Sequence, residues 1–201
     1  MQKILILFAH PRYENSRANR ALLAGLRGLE GVSVHDLYEQ YPDFNIDVAR
    51  EQALLLEHPI IVWHYPLYLY GPPALLKQWM DLVLENGWAI GEGNQLENKL
   101  IFNTISTGGT RESYAPEGIN RRLLTDLLLP LEQAVRLCRM IWLPPFAIQG
   151  TYRLSEAALA DYAALYRRGL AALAQAPAVD SIRRYPLLND WIRTLGPKEE
   201  S

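Results

Sequence analysis

A chain of 201 residues with 49% hydrophobic content suits one self-sufficient domain and excludes a disordered chain. A formal charge of −2 excludes an electrostatic nucleic-acid binder, and it lacks the strong acidity of many small electron carriers. The one cysteine, Cys138, excludes an internal disulfide and multi-cysteine metal centres, and reads as a packed thiol in a reducing compartment.

In chain order, Lys3 to Ala9 is a continuous apolar run of the kind buried on both faces of a parallel sheet. It is too short for a signal peptide, and His10-Pro11-Arg12 follows without a small-residue cleavage site. Arg17 to Leu29 reads as a helix, and Val32 to Leu37 as a second strand. A polar, aromatic loop from Tyr38 to Asn45 leads to a helix over 47–57. Pro59 to His64 gives the third strand, and Pro72-Pro73 open a helix reaching Leu84. Asn86 to Asn98 is an irregular excursion before a fourth strand, Lys99 to Ser106. Residues 120–137 read as a helix kinked or broken at Pro130, and Met140 to Ile148 as a fifth strand in spite of Pro144-Pro145. Ser155 caps a last helix to about Ala174. The domain is expected to span 1–176, with 177–201 a tail lacking regular period whose Tyr185, Leu187, Leu188 and Trp191 pack on something. No stretch approaches the roughly 20 apolar residues that span a bilayer, so a membrane role would be peripheral.

Five strands alternating with helices predict an α/β, flavodoxin-like three-layer sandwich whose parallel sheet has the order 2-1-3-4-5. Ligands of such sheets sit beyond the carboxyl ends of the strands, near the switch point between strands one and three. That narrows the search to three loops. In 10–18, Ser16 stands where a helix begins, so its free N–H groups, with Asn19 and Arg17 or Arg12, can cradle a phosphate; Ser16 can equally be a plain cap. The absence of G-x-G-x-x-G there weakens a dinucleotide-binding reading. In 64–72, Pro66-Leu67-Tyr68-Leu69-Tyr70 offers apolar walls with polar edges to a flat aromatic ligand, or rings for a neighbouring subunit. In 106–120, Thr107-Gly108-Gly109 permits close backbone approach to a ligand. A phosphate cradle, an aromatic wall and a glycine loop together suit a flavin mononucleotide. A metal-dependent receiver domain would need acidic residues at the first and third strand ends, where Ala9-His10 and Trp63-His64 stand, and no metal site is expected.

Phe8-Ala9-His10-Pro11, Ser16-Arg17-Ala18-Asn19, Pro66-Leu67-Tyr68, Pro73 to Trp79 and Thr107-Gly108-Gly109 with Tyr114 resemble the NAD(P)H dehydrogenase (quinone) family. Val34 to Tyr38, Tyr41-Pro42-Asp43-Phe44, Arg50 to Leu55 and Cys138-Arg139-Met140 resemble the ancillary proteins of bacterial glutathione-regulated potassium-efflux systems. The resemblance implies noncovalent FMN, with FAD as the alternative, and two-electron, ping-pong reduction of quinones by NADH or NADPH. It also implies a homodimer, and a cytoplasmic protein docking peripherally on a potassium-efflux protein at the inner membrane. It places His10 and Ser16, Arg17, Ala18 and Asn19 around the ribityl phosphate, and Pro66, Leu67, Tyr68, Leu69, Thr107, Gly108, Gly109 and Tyr114 around the ring system. Gly108 and Gly109 amides and the Tyr114 hydroxyl would stabilise charge there. The family pattern has a His six residues after that Tyr. This chain has Asn120, whose amide donates a hydrogen bond but supplies neither positive charge nor a proton relay. A regulatory flavin-binding subunit with little catalysis is therefore the alternative function.

Overall fold

The computed structural model describes residues 1–196. Strand β1 (Ile4–Phe8) is buried along its whole length and alternates its side chains between two cores, Leu5 and Leu7 to one, Ile4, Ile6 and Phe8 to the other. This is why the run is apolar throughout. It pairs in parallel with β2 (Val32–Asp36) and β3 (Ile60–Pro66), and β3 pairs with β4 (Leu100–Thr107). The sheet order is β2-β1-β3-β4-β5, as expected for a flavodoxin-like α/β sandwich.

The fifth position differs from the single strand expected. Ile141–Trp142 (β5) and Phe146–Gln149 (β6) each pair with β4, and Pro144-Pro145 separate them. Prolines lack the N–H a ladder needs, so the strand is cut there.

Helices α1 (Arg17–Ala24) and α6 (Glu156–Leu173) cover one face of the sheet. On the other lie α3 (Val48–Glu57), α4 (Ala74–Val83) and α5 (Leu129–Leu137). Side-chain caps from Ser16, Asp47 and Ser155 start α1, α3 and α6. α1 stops short of the expected Leu29, at the Gly25 cap. Within the aromatic loop, Leu37–Gln40 forms one helical turn, α2, because Asp36 accepts from the Tyr38 and Glu39 amides. The helix expected over 120–137 begins only at Leu129, after a 3₁₀ turn (Thr125–Leu128). Pro130 therefore sits in a first turn, where its missing N–H costs nothing, and makes no kink.

The tail expected to lack regular period carries two short helices, α7 (Val179–Arg183) and α8 (Leu188–Thr194). Ile182, Leu188, Trp191 and Ile192 are buried in the same core as α1 and α6, so the apolar residues found there do pack. The end of the tail, 197–201, lies outside the described residues. Cys138 is buried, and that burial pushes its thiol up to about 11, as fits a packed rather than reactive group.

Candidate functional site

The strand ends of β1, β3 and β4 open into a cleft of about 260 Å³ whose walls include His10, Ser16, Arg17 and Ala18 from the first loop. Pro66, Leu67 and Tyr68 enter from the second loop, and Thr107 and Gly108 from the third. A larger, open groove of about 690 Å³ lies along α1, lined by Arg20, Arg27 and Val34 among others. No strand-end loop after β3 or β4 reaches that groove, so the smaller cleft is the better candidate.

The first loop is built for an anion. Ser16 Oγ accepts from the Asn19 amide N–H at 3.2 Å, leaving the N–H groups of Arg17 and Ala18 for a ligand. His10 Nδ1 accepts from Arg12 N–H at 3.1 Å, so its Nε2 carries the hydrogen. Burial lowers the His10 pKa, opposed by the Glu14 charge, and keeps the ring a neutral donor at neutral pH. Arg17 lines the cleft, while its guanidinium lies 2.5 Å from Glu156 and 3.2 Å from the Leu154 carbonyl. Asn19 differs from its expected place in the cage: it is buried beneath the loop, with its amide bound to Ser16, Ser106 and His64.

The second loop makes a tight turn in which Tyr68 and Gly71 exchange backbone hydrogen bonds at 3.0 and 3.1 Å. Leu69 and Tyr70 take φ of 44° and 68° to close it, a conformation that strains any residue with a Cβ. The strain displays Leu69 at 95% exposure on the turn tip, outside the cleft wall where the sequence had placed it. Tyr68 meets His10 edge to face, with ring centres 6.0 Å apart.

In the third loop Thr107 Oγ1 donates to the Gly109 carbonyl at 2.7 Å. A Cβ on Gly109 would stand 3.0 Å from the Tyr114 ring, so that glycine serves the packing of Tyr114 rather than lining the cleft. Burial raises the Tyr114 phenol, so it stays a neutral donor, and its ring packs with Leu67 against Leu124, Ala147 and Leu187. Asn120 is a strut between loops: its Nδ2 donates to the Ser113 carbonyl at 2.9 Å, and its Oδ1 accepts from the Tyr70 hydroxyl at 3.1 Å.

Sequence reading missed Asn15, Ser106 and the pair Thr151-Tyr152, all of which line the cleft. Thr151 and Tyr152 follow Gly150 at the end of β6, a fourth strand-end loop that the carboxyl-end rule would have reached. Thr151 is tied down by its amide and hydroxyl, both donating to the Thr107 carbonyl at 3.1 and 3.2 Å.

A flavin mononucleotide fits these groups in kind. The Gly108 N–H finds no acceptor among the described residues, and a Cβ there would stand 2.7 Å from the Tyr152 ring. Gly108→Val is therefore expected to weaken FMN binding at least about tenfold, since a branched side chain blocks close backbone approach. Tyr152 is exposed and free to swing, so the melting temperature should stay within a few degrees. Flavin fluorescence titration and thermal unfolding of the same variant read the two effects, and undiminished FMN affinity would remove Gly108 from the site.

A family model described as flavodoxin-like fold matches residues 2–170. The chain is 49% identical over 170 residues to the glutathione-regulated potassium-efflux system ancillary protein KefG of Shigella flexneri serotype 5b, covering 84% of this chain and 93% of that one. The general stress protein 14 of Treponema denticola, solved in complex with FMN, superposes with a TM-score of 0.77 at 34% identity, covering 87% of this chain and 98% of that one. An NADPH-quinone reductase from P. pentosaceus superposes with a TM-score of 0.76 at 30% identity, covering 83% and 96%. By fold, sheet order and these similarities, the chain belongs to the flavodoxin-like family that holds the quinone reductases and the KefG ancillary proteins.

Proposed function

We propose that the chain binds FMN in the strand-end cleft and works as a flavin-dependent NAD(P)H:quinone oxidoreductase. The observation that carries this reading is the convergence of three strand-end loops on one cleft, each bringing a different part of what a flavin needs. The α1 N-terminus with Ser16 would hold the phosphate, Tyr68 with Leu67 and Pro66 the apolar ring faces, and Gly108 the ring's polar edge. FMN held there would supply two-electron hydride chemistry between NADH or NADPH and a quinone, with the two substrates using the cleft in turn. Tyr114, held neutral, would donate its hydroxyl hydrogen toward the site, and the Gly108 N–H would face developing negative charge. The FMN of the Treponema denticola relative supports FMN over FAD.

A cleft of about 260 Å³ lies below the ~300 Å³ at which small-ligand pockets usually begin, so part of the ligand would stand proud of one chain. The exposed Leu69, Tyr70, Ile119 and Tyr152 around it are suited to a second copy completing the site, which supports the homodimer.

A second reading, a regulatory flavin-binding subunit of a potassium-efflux protein, is favoured by Asn120. Its amide is committed to Tyr70 and Ser113, and it carries no proton to relay. The names of the relatives point the same way. Among the described residues no helix is long and apolar enough to cross a membrane, so such docking would be peripheral, at the cytoplasmic face.

One experiment separates the readings. The protein is reconstituted with FMN, and the oxidised-flavin absorbance is followed anaerobically on adding NADH, then NADPH. Bleaching within seconds supports the enzyme; a bound flavin that stays oxidised supports the regulatory subunit; failure to retain any flavin overturns both.

A further inference from the structure

Beneath the first loop, side chains from three elements meet in one buried network: His64 on β3, Asn19 on α1 and Ser106 on β4. His64 Nε2 lies 3.0 Å from Asn19 Oδ1, and Asn19 Nδ2 lies 2.9 Å from Ser16 Oγ and 3.0 Å from Ser106 Oγ. The direction of these bonds follows from counting hydrogens. The His64 ring stands edge to face against Phe8 and Tyr166, at 5.1 and 5.7 Å, and its Nδ1 has no partner among the described residues. A hydrogen on Nε2 leaves only a lone pair at Nδ1, whereas the other tautomer would bury an unpaired N–H among apolar rings. Burial, with a smaller contribution from the nearby His10 ring when that is protonated, pushes the His64 pKa down to about 3, so the ring is neutral.

His64 therefore donates to Asn19 Oδ1, and that fixes the amide with both Nδ2 hydrogens toward the serines. Ser16 Oγ accepts twice, from the Asn19 backbone and side chain, which uses its two lone pairs. Its own hydrogen, and that of Ser106, find no acceptor on Asn19. Both serines line the cleft.

We propose that His64 and Asn19 are positioning residues that set the Ser16 and Ser106 hydroxyls as donors to the cleft, so that it selects a phosphate monoester. This rests on the flavin reading of the same cleft and adds the source of its preference. With the His10 Nε2–H, the first N–H groups of α1 and the Arg12 side chain, this end of the cleft is rich in donors. A phosphate monoester accepts from all of them; the uncharged ribityl end of riboflavin does not.

The test compares FMN with riboflavin, by fluorescence titration, in the wild type and three variants. Asn19→Asp preserves shape but turns the amide nitrogen into an acceptor that takes the serine hydrogens and adds a negative charge. It is expected to weaken FMN about 10- to 100-fold, the loss of a charge-assisted bond or two, while riboflavin moves less than about threefold. His64→Leu should lose part of the same preference, and His64→Gln, which can donate to Asn19 Oδ1, should restore it. Bound-FMN phosphorus resonances that shift in Asn19→Asp and His64→Leu but keep the wild-type position in His64→Gln would support the relay. An unchanged FMN-to-riboflavin ratio in Asn19→Asp overturns the proposal, as does failure of His64→Gln to exceed His64→Leu. If His64→Leu does not fold, the decision falls to Asn19→Asp. If the wild type takes no flavin, the flavin reading fails, and the network is tested with inorganic phosphate through the Arg17 and Ala18 amide resonances. Shifts lost in Asn19→Asp would support it, and shifts that survive would overturn it.

Discussion

Glu51→Ala is expected to lower the unfolding free energy by about 3–5 kcal/mol, the range for removing one partner of a buried charged network. Glu51 on α3 is fully buried, and its two oxygens organise a corner of the fold. Oε1 accepts from the Tyr41 hydroxyl at 2.6 Å and pairs with His35 Nε2 at 2.7 Å, and Oε2 accepts from Trp79 Nε1 at 2.8 Å. These partners belong to β2, to the segment after α2 and to α4, so one carboxylate ties the aromatic loop to two helices and the edge strand. Alanine would strand two buried polar groups, the Tyr41 hydroxyl and the Trp79 N–H, each costing about 1–3 kcal/mol when left unpaired, and would free the half-buried His35 ring. Urea unfolding at neutral pH, with an unchanged m-value, reads the loss. A shift under about 1 kcal/mol would mean that water takes over the three bonds.

The same carboxylate fixes a pH dependence. Burial by itself would raise its pKa, but hydrogen bonds from His35, Tyr41 and Trp79 more than offset that and hold it below the ordinary value. A group with a lowered folded pKa adds stability above its unfolded pKa, about 4.3 for a glutamate, and loses it as pH falls through the folded value. The gap between wild type and Glu51→Ala should therefore be widest near neutral pH and narrow below about pH 4.

The sheet was legible in the sequence because each central strand is buried on both faces, and burial on both faces demands unbroken apolar runs such as Ile4 to Phe8 and Ile60 to Trp63. Proline was ambiguous for a physical reason. Pro130 is compatible with a kink or with a first turn, and only the packing of Leu131 and Val135 decides where the helix starts. The tail helices α7 and α8 are too short for a helical period to stand out, although their buried apolar residues were visible as a packing signal. In the site, the strand-end loops could be found from order alone. The coupling of His64 to Asn19 could not, because 45 residues separate them and only the adjacency of β1 and β3 beneath α1 brings them to 3.0 Å. Asn19 could be recognised as important from its motif, but whether it faces a ligand or supports the serines that do is a matter of burial.

Asn120→His is expected to raise the rate of quinone reduction about 10²- to 10⁴-fold, the usual contribution of a positioned acid–base group, if the cleft is an oxidoreductase site limited by proton delivery. The present Asn120 is held by the Ser113 carbonyl and the Tyr70 hydroxyl. An imidazole offers the same pair of functions in its neutral form, one N–H to donate and one nitrogen to accept, so the strut between the second and third loops can survive the exchange. What changes is that the group titrates near neutral pH and can carry a proton between solvent and the reacting pair. FMN affinity should stay within about threefold, because the phosphate end of the cleft is built from Ser16 and α1, not from Asn120. Stopped-flow measurement of the reductive and oxidative half-reactions separates these effects. A gain confined to the oxidative half would place the missing proton at the quinone step and identify Asn120 as the residue that restrains turnover. An unchanged rate with intact FMN binding would remove position 120 from the chemistry. Its role would then be the one its hydrogen bonds already describe, fixing Tyr70 and the strained Leu69 tip as a surface for another protein.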